Sequence, residues 1–350
     1  MTIKGTCNEN VTISRDDVTL QGDPKGGATI SGSSAGSTIT VRASRVLIDR
    51  LNVRGGNPFG IQLVGGSNVD ISNSDVQYAA SQGINVQGTS WVNITKCSVQ
   101  HNTRAGIGVA QANVAITDSQ ISHNSGAGVI GVWDASMSIT NSQFVSNATS
   151  GVRAIRHSSV TLNASTISSS GQLGVELRAS EGAINDTTIT ANGTGGVGVN
   201  ASNVHFNGGA VTNNVGTGVL ASGPSYVDLY GTSVSGNGGS NFGPNAGVGL
   251  YLGAVANISG ATISGNKAEG LWVWVNSTAQ VSGGAIIQNN AGHGIQLNAD
   301  SKLWMNGPAT VGGNAGSGVN CLDTKSSAYN LASITYSPSN GGGTTNCTGS

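Results

Sequence analysis

Apolar and polar residues alternate along this chain in short bursts, and the bursts recur every 22 or 23 residues. One repeat opens at Ser67 and others at Ser90, Ala112, Ala135, Ser158, Ser180, Ser202 and Ser225. After an insertion the frame resumes near Val255 and continues at Thr278 and Ser301. Each repeat carries three alternating segments. The first holds an apolar pair such as Val69 and Ile71 or Val92 and Ile94. The second sets a small residue before an apolar one, as in Ser74 and Val76 or Ser119 and Ile121. The third opens with glycine, as in Gly83-Ile84-Asn85-Val86 and Gly174-Val175-Glu176-Leu177. Period-two alternation is the signature of a strand, whose successive side chains point to opposite faces. Helical spacing is missing, and 55 glycines in 350 residues argue further against helices. Three short strands per repeat, each stacked on its counterpart in the next, predict an all-β fold. It is a single-stranded right-handed parallel β-helix, a solenoid of about 13 coils. No boundary interrupts the period. Residues 1–323 are expected to form the helix, and residues 324–350 a C-terminal cap or tail of the same domain.

An asparagine returns at one place in each repeat: Asn102, Asn124, Asn147, Asn192, Asn214, Asn237, Asn266, Asn289 and Asn314, with Ser170 standing in once. Each asparagine follows an apolar residue by three positions, from Val99 to Val311. Asn tolerates left-handed backbone at tight turns. Stacked coil on coil, the amides would hydrogen-bond along the axis as a ladder. Ser74, Ser119, Ser142 and Ser165 should form a second inward stack of small residues.

Charged residues are only 9% of the chain and the net charge is −1, so no nucleic-acid partner is expected. No apolar run approaches the ~20 residues of a membrane helix, so membrane insertion is not expected either. The surface must be Ser, Thr, Asn and Gly, a composition associated with secreted and cell-surface solenoids. Acids are scattered along the coils and there is no zinc spacing, so neither metal nor cofactor is expected. Cys97 falls in the inward small column and reads as packing. Cys321 and Cys347 flank the irregular C-terminal segment, where a disulfide between them would point to an oxidising compartment. Cys7 lies near the start. The first coil reads as strand from Met1 onward, which leaves its open end to a removed leader, a removed cap, or a capping partner or second copy.

With strands and ladder assigned, the chain resembles the pectin-lyase-like superfamily, in its generic parallel β-helix-repeat form. The resemblance covers roughly Asn10 to Asn320 and rests on repeats such as Gly106-Ile107-Gly108-Val109 and Ile121-Ser122-His123-Asn124. It implies the fold. It leaves activity open, because the superfamily holds polysaccharide lyases, hydrolases, epimerases, tailspikes, adhesins and binding modules. Of the polygalacturonase motifs only Gly292-His293-Gly294 is present, without its aspartates, and the Asp-Pro-His-Glu block of alginate epimerases is absent.

Sites on such a solenoid must use outward positions. On the glycine-led strand one outward column runs through Gln62, Asn85, Gly108, Ile130, Arg153, Glu176, Gly198, Leu220, Gly249, Trp272 and Gln296. Two places along the chain stand out. The first is charged: Trp133, Asp134, Arg153, Arg156, His157, Glu176, Arg178 and Glu181 fall within consecutive repeats. Read as a polysaccharide site, Asp134 and Glu176 are the candidate acid and base, with Arg153 and Arg178 completing the catalytic group. Trp133, Arg156 and His157 would bind substrate. The second place is aromatic: Tyr251, Trp272 and Trp274, next to the insertion Gly238–Pro244, which could wall a sugar-stacking platform. His101 and His123 occupy equivalent positions and read as an exposed turn pair. The functional expectation is an extracellular protein that interacts with polysaccharide, as lyase, hydrolase or binder. The alternative is a structural or adhesive surface solenoid without activity.

Overall fold

The computed structural model describes residues 1–33, 35–239 and 245–347. They form two compact units, Met1–Gly171 and Gln172–Ser350. Each unit is a stack of coils made of three short strands. In the first unit the first strands of successive coils pair in parallel and in register, as Val69 with Val92 and Ile71 with Ile94. The second strands do the same, Val76 with Val99, and so do the third, Ile84 with Ile107. The second unit repeats this with Val204 on Val227, Val211 on Val234 and Val248 on Leu271. Strand counts in the three sheets give about fourteen coils, one more than the repeats suggest. The inward positions are Val, Ile, Leu and Phe144 with essentially no exposure. Three faces of short strands cannot otherwise hide their apolar sides, so burial and parallel stacking are one event.

The asparagine ladder is present in both units. In the first, Asn102 Nδ2 donates to Asn124 Oδ1 at 2.9 Å, and Asn124 Nδ2 to Asn147 Oδ1 at 3.0 Å. In the second it runs Asn192, Asn214, Asn237, Asn266, Asn290, Asn314 and Asn340. Two features differ from expectation. The member after Asn266 is Asn290 and not Asn289. Two left-handed glycines, Gly283 and Gly284, lengthen the preceding turn there, so Ile287 rather than Ile286 takes the inward place beside Ile263. The left-handed residue is also not the ladder asparagine but the one before it: His101 (φ 55°), His123 (φ 54°), Asn213 (φ 54°) and Asn289 (φ 55°). That residue turns the chain, and the asparagine, 0–1% exposed, holds the turn to its neighbours.

The serine stack forms as expected, with the hydroxyl as acceptor: Ser119 Oγ takes the Cys97 N–H at 3.0 Å, and Ser142 Oγ takes the Ser119 N–H at 3.1 Å. A second serine stack, which sequence reasoning had not separated, joins Ser180, Ser202 and Ser225 at the turn into the first sheet. The glycine that opens the third strand is required by space. A Cβ on Gly196 would lie 2.4 Å from Val211 Cγ1, 2.5 Å from Gly218 O and 2.9 Å from Asn214 Nδ2. Cys321 and Cys347 form the expected disulfide, which ties down the C-terminal segment. Cys97 is buried and Cys7 is half-buried, both as free thiols.

Candidate functional site

The outward column of the third sheet has the predicted register. In the second unit Glu176 pairs with Gly198, Gly198 with Leu220, Leu220 with Gly249, Gly249 with Trp272, and Trp272 with Gln296. Beside it runs a second column, Arg178, Asn200, Ser222, Tyr251, Trp274 and Asn298. One face of the second unit therefore carries Glu176, Arg178, Tyr251, Trp272 and Trp274, half of the predicted side chains, at about 4.8 Å per rung.

Glu176 is less open than an outward position suggests, at 5% exposure. Leu173, just before the opening glycine, folds back over the face and would meet a Cβ at Gly198. The carboxylate lies 2.6 Å from Arg178 Nε, and the arginine side chain stays 61% exposed. Around this ion pair is a hollow of about 380 Å³, lined by Leu173, Glu176, Arg178, Asn200, Leu220 and Ser222. Asn200 Nδ2 donates to Ser222 Oγ at 2.9 Å along its rim. Glu176 is the only carboxylate among the described residues lining the hollow. Glu181 is not part of it: it opens a strand of the first sheet and points elsewhere.

Further along the same face the aromatic group is assembled as expected. Trp272 and Trp274 stack with ring centroids 5.3 Å apart and 13° between planes, and Tyr251 tilts against Trp274 at 4.9 Å. All three are half-buried. The neighbouring insertion, predicted as a wall, lies outside the described residues from Ser240 to Pro244.

The other charged candidates belong to the first unit. Arg153 stands on the outward column beside Ile130. Trp133 and Asp134 sit instead in a left-handed turn (φ 52° and 61°), as do Arg156 and His157 (φ 56° and 64°). The Arg156 guanidinium lies 5.1 Å over the Trp133 ring. That cation–π contact occupies an indole face that a sugar would need. Asp134 is exposed at this turn, in the first unit, while Glu176 belongs to the second. His101 and His123 are exposed and stacked at 5.3 Å, and Tyr78 extends the stack at 5.7 Å. His293 has a packing role: its Nδ1 accepts the Ser317 N–H of the next coil at 2.9 Å.

Sequence reading missed two groups. In the first unit a hollow of about 580 Å³ lies along the turn between first and second sheets, lined by Asp75, Lys96, Ser98, Asp118, Gln120 and Gln143. The signal was available, because Lys96 and Asp118 share one left-handed turn position (φ 53° and 51°) in successive repeats. On the first sheet of the second unit His205 Nδ1 lies 3.5 Å from Asp228 Oδ2, and Asn257 donates to Asp228 at 2.9 Å. Tyr226 packs against His205. Burial, and then the Asp228 charge, push the Tyr226 hydroxyl above its ordinary range.

Comparison with known proteins settles the architecture. The model of the right-handed beta helix region matches residues 2–136 and 129–286. The chain belongs to this family. Among solved structures, the A-module of mannuronan C-5 epimerase AlgE4 of Azotobacter vinelandii is similar at 12% identity with a TM-score of 0.53, over 95% of this chain and 87% of that one. The AlgE6 A-module of the same organism gives 14% identity and a TM-score of 0.47, over 95% and 89%. At 12% identity, the likeness of this right-handed β-helix family member to the AlgE4 module shows a shared fold. No curated protein matches the chain. Among the described residues no helix is long and apolar enough to cross a membrane.

Proposed function

We propose that this β-helix protein binds polysaccharide outside the cell, along the outer face of the third sheet in its second unit. The observation that carries the reading is the in-register alignment on one face of the Glu176–Arg178 hollow and the Tyr251/Trp272/Trp274 group. Aromatic faces stack on sugar rings, and an ion pair ringed by Asn200 and Ser222 offers donors and acceptors for hydroxyls. An extended glycan laid parallel to the axis would touch both. The family's fold and its similarity to a mannuronan epimerase module make a polysaccharide a chemically reasonable occupant.

Binding is favoured over hydrolysis. A glycoside hydrolase needs two carboxyl groups facing one bond. The hollow supplies one, already engaged by a guanidinium at 2.6 Å. The test is a glycan panel against the full chain, followed by calorimetry for affinity and by reducing-end release and the absorbance of unsaturated uronates for turnover. Saturable binding that falls in Trp272→Ala, without turnover, is the expected result. Turnover abolished by Glu176→Gln would make the protein an enzyme, and silence across the panel would end the polysaccharide reading.

A further inference from the structure

We infer that the glycan taken by this face is uncharged, although the similar epimerase modules are named for a polyuronate. The inference rests on the reading just given. The charge along the strip carries it. From the Glu176 rung to the Gln296 rung, the two outward columns hold Glu176, Gly198, Leu220, Gly249, Trp272 and Gln296, and Arg178, Asn200, Ser222, Tyr251, Trp274 and Asn298. Only Glu176 and Arg178 are charged, and they neutralise each other at 2.6 Å. Beyond the ion pair the strip is formally neutral along its whole length. The charged residues flanking the aromatic rungs, exposed Lys267, half-buried Glu269 and exposed Asp300, add no net positive charge.

A polyuronate presents one carboxylate per ring. Each must be matched by a cation or by several donors when it leaves water, or it costs free energy. Sites for such chains need Arg or Lys at the repeat of the sugar. Here one arginine serves several rungs, and its nearest neighbour is a carboxylate that repels the incoming one. The rest of the strip suits a ring with apolar C–H faces and equatorial hydroxyls. Trp272 and Trp274 take the faces. Asn200, Ser222 and Asn298 exchange hydrogen bonds with the hydroxyls.

The register also sets a length. Glu176 and Trp272 are separated by four pairing steps, or about 19 Å at about 4.8 Å per step. A glycan must span that distance to use both ends of the face.

The experiment is calorimetric titration of the full chain with a length series of neutral β-linked oligosaccharides and a length-matched series of uronate oligosaccharides, at low and high salt. The expected result is affinity for the neutral series that climbs with length and levels off once the chain spans the four pairing steps. Trp272→Ala should weaken it on the order of tenfold. Trp272→Phe should recover most of the loss, which separates lost stacking from lost folding. Uronates should bind on the order of tenfold more weakly, and the gap should narrow as salt screens the repulsion. Uronate binding that equals or exceeds neutral binding, falls with salt and disappears in Arg178→Ala overturns the inference while leaving polysaccharide binding intact. If neither series binds at any length, the site reading falls and the inference falls with it.

Discussion

Replacing Asn214 by alanine tests whether the ladder holds the coils together or merely occupies them. Asn214 is 0% exposed. Its Nδ2 donates to Asn237 Oδ1 at 2.9 Å and to Ile189 O at 3.2 Å. Its Oδ1 accepts from Asn192 Nδ2 at 2.9 Å and from the Asn192 N–H at 3.0 Å. Asn237 Oδ1 keeps one donor in the variant, the backbone N–H of residue 214. The Ile189 carbonyl, the Asn192 amide and the Asn192 N–H each lose this bond. A buried hydrogen bond is worth about 0.5–1.5 kcal/mol net, so losing the four bonds of the Asn214 side chain is expected to destabilise by about 2–6 kcal/mol. Each kcal/mol lowers Tm by about 2–4 °C in a domain of this size. Thermal and denaturant unfolding should report the loss, and hydrogen exchange should place it at the Asn192 amide, one coil back, and at Val215, next to the change. Thr194→Ala, an exposed change in the same stretch, should stay within about 0.5 kcal/mol. A loss below about 1 kcal/mol for Asn214→Ala would refute the argument. It would mean that a water replaces the amide, or that the stacked backbone alone fixes the coil.

Three further outcomes are expected. Gly196→Ala should destabilise by about 1–3 kcal/mol, because its Cβ would overlap Val211, Gly218 O and the Asn214 amide; unchanged denaturant midpoints would contradict the packing. Burial pushes the Cys97 thiol up from 9.0 to about 11. The folded state thus holds the proton more tightly, so the stability this gives is full below pH 9 and is lost between pH 9 and about 11, by about 2–3 kcal/mol. Unfolding measured across that window should show the decline in the native chain and not in Cys97→Ala. Removing the Cys321–Cys347 bridge, which closes a separation of 26 residues, should cost about 3 kcal/mol, read as a lower melting temperature in reductant. Equal melting with and without reductant would count against it.

The fold was legible because three periodic demands coincide in every repeat: alternation for the strands, a small residue where the coil is narrow, and an amide where the chain turns. The Asn289 assignment failed for a local reason. Counting three residues from Ile286 works only if each turn has the same length, and Gly283-Gly284 adds one. The outward columns were legible too, since Trp272, Trp274, Glu176 and Arg178 stand where the alternation puts them. Their coverage was not. That Leu173 folds over Gly198 depends on a strand that begins one residue before its glycine, and that Arg156 lies on Trp133 depends on turn residues whose direction is set by left-handed backbone rather than by alternation. The hollow at Lys96 and Asp118 escaped notice although the two share one position in successive repeats, because residues at such turns look like loop punctuation in the sequence.

A solenoid of this kind divides its residues sharply. Inward positions answer to the coil above and below, so a change there is felt through the stack and drifts little toward new chemistry. Outward positions answer to nothing in the fold, and most here are Ser, Thr, Asn or Gly. Side chains that break that habit have no architectural reason to do so. Tyr251, Trp272 and Trp274 expose costly aromatic surface side by side, and Glu176 gives up most of its hydration beside Arg178. Trp133 breaks the habit as well, but Arg156 covers its face, so its aromatic surface is already used within the molecule. The contrast favours the third-sheet face of the second unit, where Trp272 and Trp274 stack on each other and share a strip with the Glu176 hollow.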